Sequence, residues 1–440
     1  MKRRYPTLAL LTCVAINLAQ ASDPAPLDLN AVLQAAQQND PQWLSKIHAY
    51  RASKEIKNLA SAAIKPTVKL TAQGSREHYD SDTFGSDSYS QHSYGASVLQ
   101  PLFRADRWYN YKKASFVVKQ KEAEFTQAQL DFYMRVVGTY FDVLRANENL
   151  RFRLAEKQAI QQQLEQTEHR FAVGLVAEAD AQEARAAFDL ASVEHILADQ
   201  SRNQALDALV TLTGSQASDV KPLQNDIPVV APVPNEFVPW KTLALSHNPT
   251  LQAALLNQKA ADKDFQSKTA AHLPSVDLYG SYQNNDRYIP TTPGEMTNNS
   301  IGIRMELPLY SGGSLSAARR QSRELSLQAG DDVQFIERQV VQNTRTSLSA
   351  VNSDVTRVNA QQQSIRSATA AYEASQIGYK TGTRTLVDLL TAQQALFRAK
   401  RDYANARFDY IFDSLRLKHI AGVLHEDDVK QINSWLNASP

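Results

Sequence analysis

One spacing constrains this chain more than its composition does. The stretches "VGLVAEAD" (Val173 to Asp180) and "TGTRTLVD" (Thr381 to Asp388) each hold a glycine followed six residues later by an aspartate, and the second lies 208 positions after the first. The offset recurs along the chain. "NDP" at Pro41 pairs with "HNP" at Pro249, "AAIKPTVKL" at Pro66 with "AAHLPSVDL" at Pro274, and "LTG" at Gly214 with "IAG" at Gly422. "LQPLF" at Pro101 pairs with "ELPLY" at Pro308, one residue out of step. The fold must therefore be built twice. Repeats at 22–220 and 240–440 flank the proline-rich "KPLQNDIPVVAPVPNEFVP" at 221–239, which reads as an extended linker.

Proline placement draws each unit. None occurs between Pro101 and Pro222, or between Pro308 and Pro440, and both stretches are rich in good helix formers. Each predicts a helical hairpin, at about 104–213 and about 314–421. Gly174 and Gly382 suit the left-handed residue that ends a helix. Asp180 and Asp388 suit the N-cap of the next one, and Glu183 could complete a capping box with Asp180. The quoted stretches then become hairpin tips, and a helix of about 65 residues reaches roughly 100 Å. Sevenfold spacing runs through these helices: Leu389, Leu396, Tyr403, Tyr410, Leu417; Ala184, Ala191, Ala198, Ala205; Val351, Val358, Ile365, Tyr372, Tyr379; and Val136, Val143, Leu150, Leu164, Phe171. Ala392, Ala399 and Ala406 form a second stripe, three residues after members of the first. Sustained heptads mean coiled-coil packing, with alanines at close approach.

Ahead of each hairpin the period changes to two. Val68, Leu70 and Ala72 alternate with Lys69, Thr71 and Gln73; Tyr94, Ala96 and Val98 alternate likewise. So do Val276, Leu278, Gly280 and Tyr282, and Ile301, Ile303, Met305 and Leu307 against Gly302, Arg304 and Glu306. These are four amphipathic strands at about 67–77, 92–102, 275–285 and 299–309, joined by long polar hairpin loops. Tyr79, Phe84, Tyr89, Tyr94, Phe103, Trp108, Tyr279, Tyr288 and Tyr310 crowd them. Alternation with aromatic girdles describes outer-membrane strands, and equally a soluble sheet with one buried face.

The address separates those two readings. "MKRRYPTLALLTCVAINLAQA" has a basic start, a short apolar run and an A-x-A end, a secretory leader at 1–21. Cys13 follows Thr12 inside that apolar run, which argues against lipidation, and it is the only cysteine. Disulfide, thiol and cysteine-metal chemistry are excluded after cleavage. Three of the 47 basic residues lie in the leader, so 44 remain against 46 acidic ones, a net charge of −2 that offers nucleic acid nothing. No other long apolar stretch exists, so an exported chain without a membrane helix points to a barrel. Four strands cannot close one, since about eight is the minimum. Copies must share it around a cyclic axis: two would give eight strands, three twelve, four sixteen.

"LEQTEHRFAVGLVAEAD", "HLPSVDL", "LPLYSGG", "GTRTLVDLL" and "FRAKRDYANARFDYIFDSLRLKHIAGVL" stand in order along nearly the whole mature chain. Together they resemble the TolC family of outer-membrane export channels. The resemblance implies a mainly α protein with a β-barrel part. It implies a homotrimer in which four membrane strands per chain close a shared twelve-stranded barrel above a periplasmic helical tunnel. It implies three further partners: a periplasmic adaptor at the tips, an inner-membrane pump of ABC or RND type, and outer-membrane lipid. Asp180, Arg384 and Tyr379 match residues that hold the tunnel mouth closed, and Asp388 matches a ring of carboxylates facing the axis. Ala179 stands where a relative has a hydroxyl, and Thr391 where a second acidic ring would lie, which implies a weaker latch and weaker cation binding.

Each candidate has a plainer role. Asp180 and Asp388 cap helices, Arg384 is a solvated loop charge, and Tyr379 continues a packing stripe. The tips Gly174-Leu175-Val176 and Gly382-Thr383-Arg384 are the expected docking points. No nucleophile motif, phosphate loop or metal spacing is present, and neither enzyme chemistry nor a cofactor is expected. The rival reading is a periplasmic coiled-coil adaptor or scaffold, which should show one hairpin beside a small β-domain.

Overall fold

The computed structural model describes residues 26–83, 85–215, 219–287 and 294–436. The leader, Phe84 and Tyr288 lie outside them. The first unit runs α1 (Leu29–Asn39), α2 (Pro41–Ala62), β1 (Thr67–Ser81), β2 (Gly85–Phe103), α3 (Ala105–Ala172) and α4 (Glu178–Thr213). The second repeats that order as α5 (Phe237–His247), α6 (Pro249–Ala270), β3 (Ser275–Arg287), β4 (Gly294–Glu306), α7 (Ser314–Lys380) and α8 (Leu386–Ala421), then adds α9 (Glu426–Asn433). α1 and α2 are displaced from α5 and α6 by 208.

The short helices start where side-chain chemistry dictates. The Asp40 carboxylate accepts the Gln42 and Trp43 amides, each at 3.1 Å, and Pro41 occupies the first helical position. Asn248, 208 residues on, accepts the Leu251 amide at 2.9 Å ahead of Pro249. Such caps satisfy amides that helix geometry leaves free. The long helices α3 and α7 have 68 and 67 residues, about 100 Å each.

Side-chain contacts order the wall. Trp43 and Tyr50 of α2 stack on Phe125 and Phe132 in the first half of α3. Arg185 and Glu194 of α4 pair with Glu168 and Arg153 in its second half. So α2 and α4 meet end to end beside α3, where the Asn39 side chain donates to the Thr213 carbonyl at 2.9 Å. The second repeat does the same: Asn248 donates to Ile420 at 2.9 Å. α6 lies between α3 and α7, and α8 packs on both.

The main core gathers at that level. Val136, Val137, Tyr140, Phe141 and Val143 of α3 pack with Phe408, Tyr410, Ile411 and Leu417 of α8 and with α1 and α9. The Tyr140 hydroxyl donates to the Lys221 carbonyl at 2.9 Å, and burial pushes its phenol well above the ordinary value. The alanine stripe Ala184, Ala191 and Ala198 is buried, as are Val351, Val358, Leu389, Leu396 and Ala399. A smaller core near the tips unites Ile160, Ala184, Ala191, Leu386 and Leu390 from both hairpins.

The four strands form one antiparallel sheet in the order β1-β2-β3-β4. Register decides its faces. Val68 pairs with Val98 and Leu70 with Ala96; Val98 meets Gly280 and Ala96 meets Tyr282; Gly280 meets Ile301 and Leu278 meets Ile303. All the alternating apolar residues therefore share one face. Lys69, Ser97, Ser281 and Ser300 form a row on the other, where Arg304 stacks on Tyr279 at 5.0 Å. The apolar face is bare: Leu70 and Ile301 are each 83% exposed and Ile303 67%. β1 and β4 each pair on one side only.

Three expectations need correcting. The first hairpin loop is not long: pairing runs on to Ser81↔Gly85, because backbone hydrogen bonds continue where apolar alternation stops, while the second loop lies outside the described residues. β4 starts at Gly294 and ends at Glu306, before Pro308, which has no amide to donate to a ladder. Trp108 and Tyr310, counted with the strands, lie on α3 and in the connection to α7.

Candidate functional site

The site is the pair of helical tips. In the first, Gly174 has φ 71°, and the Leu175 amide returns to the Arg170 carbonyl at 2.8 Å. In the second, Gly382 has φ 77°, and the Thr383 amide returns to Gly378 at 2.8 Å. A positive φ at that point closes a helix with a bond back to the last turn. A side chain added at either glycine meets nothing within 4 Å, so the requirement for glycine is conformational. Val173 and Leu175 stand 69% and 68% exposed beside them, apolar surface at the very end of a polar hairpin.

The caps differ from expectation. Ala177, not Asp180, is the N-cap of α4; it makes no side-chain bond, and Asp180 lies in the first turn. Thr385, not Asp388, caps α8. Its hydroxyl accepts the Asp388 amide at 3.1 Å, while the Asp388 carboxylate accepts the Thr385 hydroxyl at 2.7 Å and amide at 2.9 Å. These bonds, with Arg384 nearby, hold the exposed Asp388 carboxyl below its usual range. Asp388 therefore stays ionised, a fixed negative charge one turn from the tip.

Arg384 turns back on its own hairpin. Its guanidinium donates to the buried Ser375 hydroxyl at 2.8 Å, and its stem lies across Gly378, where a Cβ would meet Arg384 Cγ at 2.9 Å. Within one chain it is thus directed at Ser375, not at Asp180. Tyr379 does bridge the hairpins. Arg170 of α3 stacks on its ring at 5.3 Å, and it packs against the tip core. The Tyr379 hydroxyl is buried without a hydrogen-bond partner among the described residues, which leaves one donor waiting for an acceptor. The arrangement offers charge, a spare phenol and apolar tips, but no nucleophile–base pair. Among the described residues no group of His, Cys, Asp or Glu is placed to hold a metal.

Sequence reasoning missed a polar cavity of about 200 Å³ farther up the hairpins. Arg153 and Glu156 of α3, Glu194 of α4 and Arg398 and Arg401 of α8 line it. Arg153 reaches Glu156 at 2.9 Å and Glu194 at 3.0 Å. The Arg153–Glu156 spacing is a sequence signal for the first contact; nothing in sequence brings α8 to it.

The profile of the outer membrane efflux proteins matches residues 32–215 and again 240–423, two matches that are themselves 208 apart. This chain belongs to the outer membrane efflux protein family. Within it, the chain is 32% identical over 94% of both lengths to the outer membrane protein TolC of Vibrio cholerae. It is 26% identical to the alkaline protease secretion protein AprF of Pseudomonas aeruginosa, over 90% of this chain and 85% of that one. In fold it is similar to the V. cholerae outer membrane protein VceC, with a TM-score of 0.76, 20% identity and coverage of 90% and 96%. The duplicated hairpins, the four-stranded sheet and the tips described above are thus an efflux-protein architecture.

Proposed function

We propose that this chain is the outer-membrane export duct of a tripartite efflux pump or a type I secretion system. Three copies share a twelve-stranded barrel, their helices wall a periplasmic tunnel, and substrates pass from an inner-membrane pump and a periplasmic adaptor to the exterior. One observation carries the reading: a sheet with a bare apolar face and two unpaired edges, continuous with a helical wall. Exposed edges and exposed Leu, Ile and Val are costly in water. In a membrane the edges pair with neighbouring copies and the face meets lipid.

At the mouth, Arg384 of one hairpin and Asp180 of a neighbouring one latch by a charge-assisted bond. The Arg384–Ser375 contact is the resting hold within the chain, and Tyr379 supplies its free hydroxyl to the same seam. Exposed pairs contribute only about 0–1 kcal/mol each, weak enough for a docking adaptor to break. Asp388, kept ionised by Thr385, faces the axis and attracts cations. Single-channel recording in planar bilayers is the test. Arg384→Ala and Asp180→Ala should raise conductance several-fold at unchanged trimer yield, and Asp388→Asn should relieve block by divalent cations applied from the periplasmic side. Variants that conduct like the parent would reduce Arg384 and Asp180 to ordinary helix-end charges.

The tips Gly174-Leu175-Val176 and Gly382-Thr383-Arg384 meet the adaptor. Gly174→Leu or Gly382→Leu forces an L-residue into the left-handed region, a cost of about 1–2 kcal/mol, with no clash inside the chain. Export should be lost while trimer yield stays normal. Loss of the trimer instead would show that these glycines serve only the fold.

A further inference from the structure

Midway along the wall, the seam between α7 and α8 contains two carboxylates where apolar residues belong. Asp354 follows Val351 by three and Asp413 follows Tyr410 by three, and Asp413 continues the stripe Ala392, Ala399, Ala406. Asp354 is only 6% exposed. Its Oδ1 accepts from Arg357 at 2.9 Å, but its Oδ2 is buried without a hydrogen-bond partner among the described residues. Arg357 joins Asp354 to Asp409 of α8, and Asp413, one turn beyond Asp409 on α8, is the carboxylate that bears on Asp354 from across the seam.

The surrounding charge does not resolve that approach. Arg357 also reaches Asp409 of α8 at 2.6 Å, and Arg145 of α3 reaches the same Asp409 at 2.6 Å. Exposed Asp142 on α3 is felt by Arg145 alone and does not reach the seam. Both arginines therefore converge on Asp409, so the seam sets Asp354, Asp409 and Asp413 against Arg357 and Arg145. Two ionised carboxylates across a seam repel, and neither can donate to the other. One proton lets one donate an O–H···O bond to the other and removes a negative charge.

We propose that Asp354 and Asp413 form a proton-binding site in the helical wall, holding one proton between them, and that its occupancy sets how tightly α7 and α8 close on each other. The ligand is a proton from the periplasmic solvent. It adds to a carboxylate oxygen on uptake and returns to water on release, with no other bond changed. The free oxygen Asp354 Oδ2 is the acceptor the sequence leaves vacant, and the apolar layers at Val351, Val358 and Ile411 keep water away from it.

Burial, together with Asp413 and Asp409, pushes the Asp354 carboxyl up to about 6, against the pull of Arg357. A folded-state value raised above that of the unfolded chain gives stabilisation that is complete in acid and lost as pH rises through the folded value. The seam is therefore tightest below the ordinary carboxylate range and loosens above about pH 6. A shift of about two units changes the linked opening equilibrium roughly 100-fold. Because α7 and α8 carry Thr385, Arg384 and Asp388 at their far ends, the site lies on the hairpin that bears most of the candidate gate.

Infrared difference spectroscopy on the full-length detergent-solubilised protein reads the proton directly, through the carbonyl stretch of a protonated carboxylic acid. The parent should lose one such band with a midpoint near pH 6. Asp354→Asn, which keeps shape and hydrogen bonding, should lack the band. Asp413→Asn should lack it too, and neither variant should weaken on heating as pH rises between about 5 and 8. A parent spectrum with no titrating band, or a band that survives in both variants, overturns the proposal. Heat resistance that falls with pH equally in parent and Asp354→Asn overturns the coupling to the seam.

Discussion

Ile303→Arg should abolish assembly of the membrane form while leaving the chain expressed and exported. Ile303 pairs with Leu278 across β3 and β4, stands between Ile301 and Met305 on the same face, and is 67% exposed. In the proposed barrel that face meets acyl chains. A guanidinium at mid-bilayer costs about 2–4 kcal/mol, and a closed trimer carries three of them, enough to outweigh the marginal stability of a domain. Ser300→Arg is the control, since Ser300 pairs with Ser281 on the polar face, in the same row as Lys69 at the far edge of the sheet. It should assemble normally and alter only conduction. The readout is the heat-modifiable oligomer in the outer-membrane fraction. Normal yield from Ile303→Arg together with loss from Ser300→Arg would invert the two faces of the sheet.

Gly422→Ala is the second large effect, and its counterpart provides the comparison. Gly422 ends α8 at φ 72°, and a Cβ there would lie 2.3 Å from the His247 carbonyl oxygen and 3.0 Å from the Asn248 Cα. Both obstacles are backbone, at the junction where α5 and α6 meet α8. Gly214, 208 residues earlier, has φ 68°, but its added Cβ would meet only the Asn39 side chain at 3.1 Å. Left-handed strain of about 1–2 kcal/mol is common to both. Gly422→Ala adds overpacking of about 1–3 kcal/mol that side-chain motion cannot relieve. Thermal unfolding of the detergent-solubilised protein should therefore show a much larger loss for Gly422→Ala than for Gly214→Ala. Equal losses would mean that conformation alone sets the cost at both helix ends.

What could be read beforehand was whatever depends on period or on a single residue's backbone. The 208 offset, the proline-free helices, the heptads and the left-handed glycines at 174 and 382 are of that kind. The facing of the strands was also legible, because alternation is a local property. Features set by how a tip closes and where a side chain turns were not, because no period encodes them. Ala177 caps α4 in place of Asp180 because the Leu175–Arg170 bond closes the first tip early and the helix resumes at Glu178. Arg384 folds back nine residues to Ser375 over a glycine, which no spacing rule announces. The short helices α1, α2, α5 and α6 went unread although their signals stood in plain view. "NDP" and "HNP" served as markers of repetition, while their other meaning, a cap followed by proline at the first helical position, placed two helix starts. The strands outran their apolar alternation because pairing needs only backbone, and Ser, Asp, His and Tyr between 75 and 93 extend the ladder with polar side chains.

In the proposed assembly, closure is shared: one chain supplies a third of a barrel and a third of a tunnel. Native mass measurement of the protein extracted from outer membranes in mild detergent reads the number of chains. A single species of three chains is expected, each of at most 49.0 kDa, with no folded monomer at lower concentration. A stable monomer with the same strand content would contradict it, because β1 and β4 would then have found their partners within one chain.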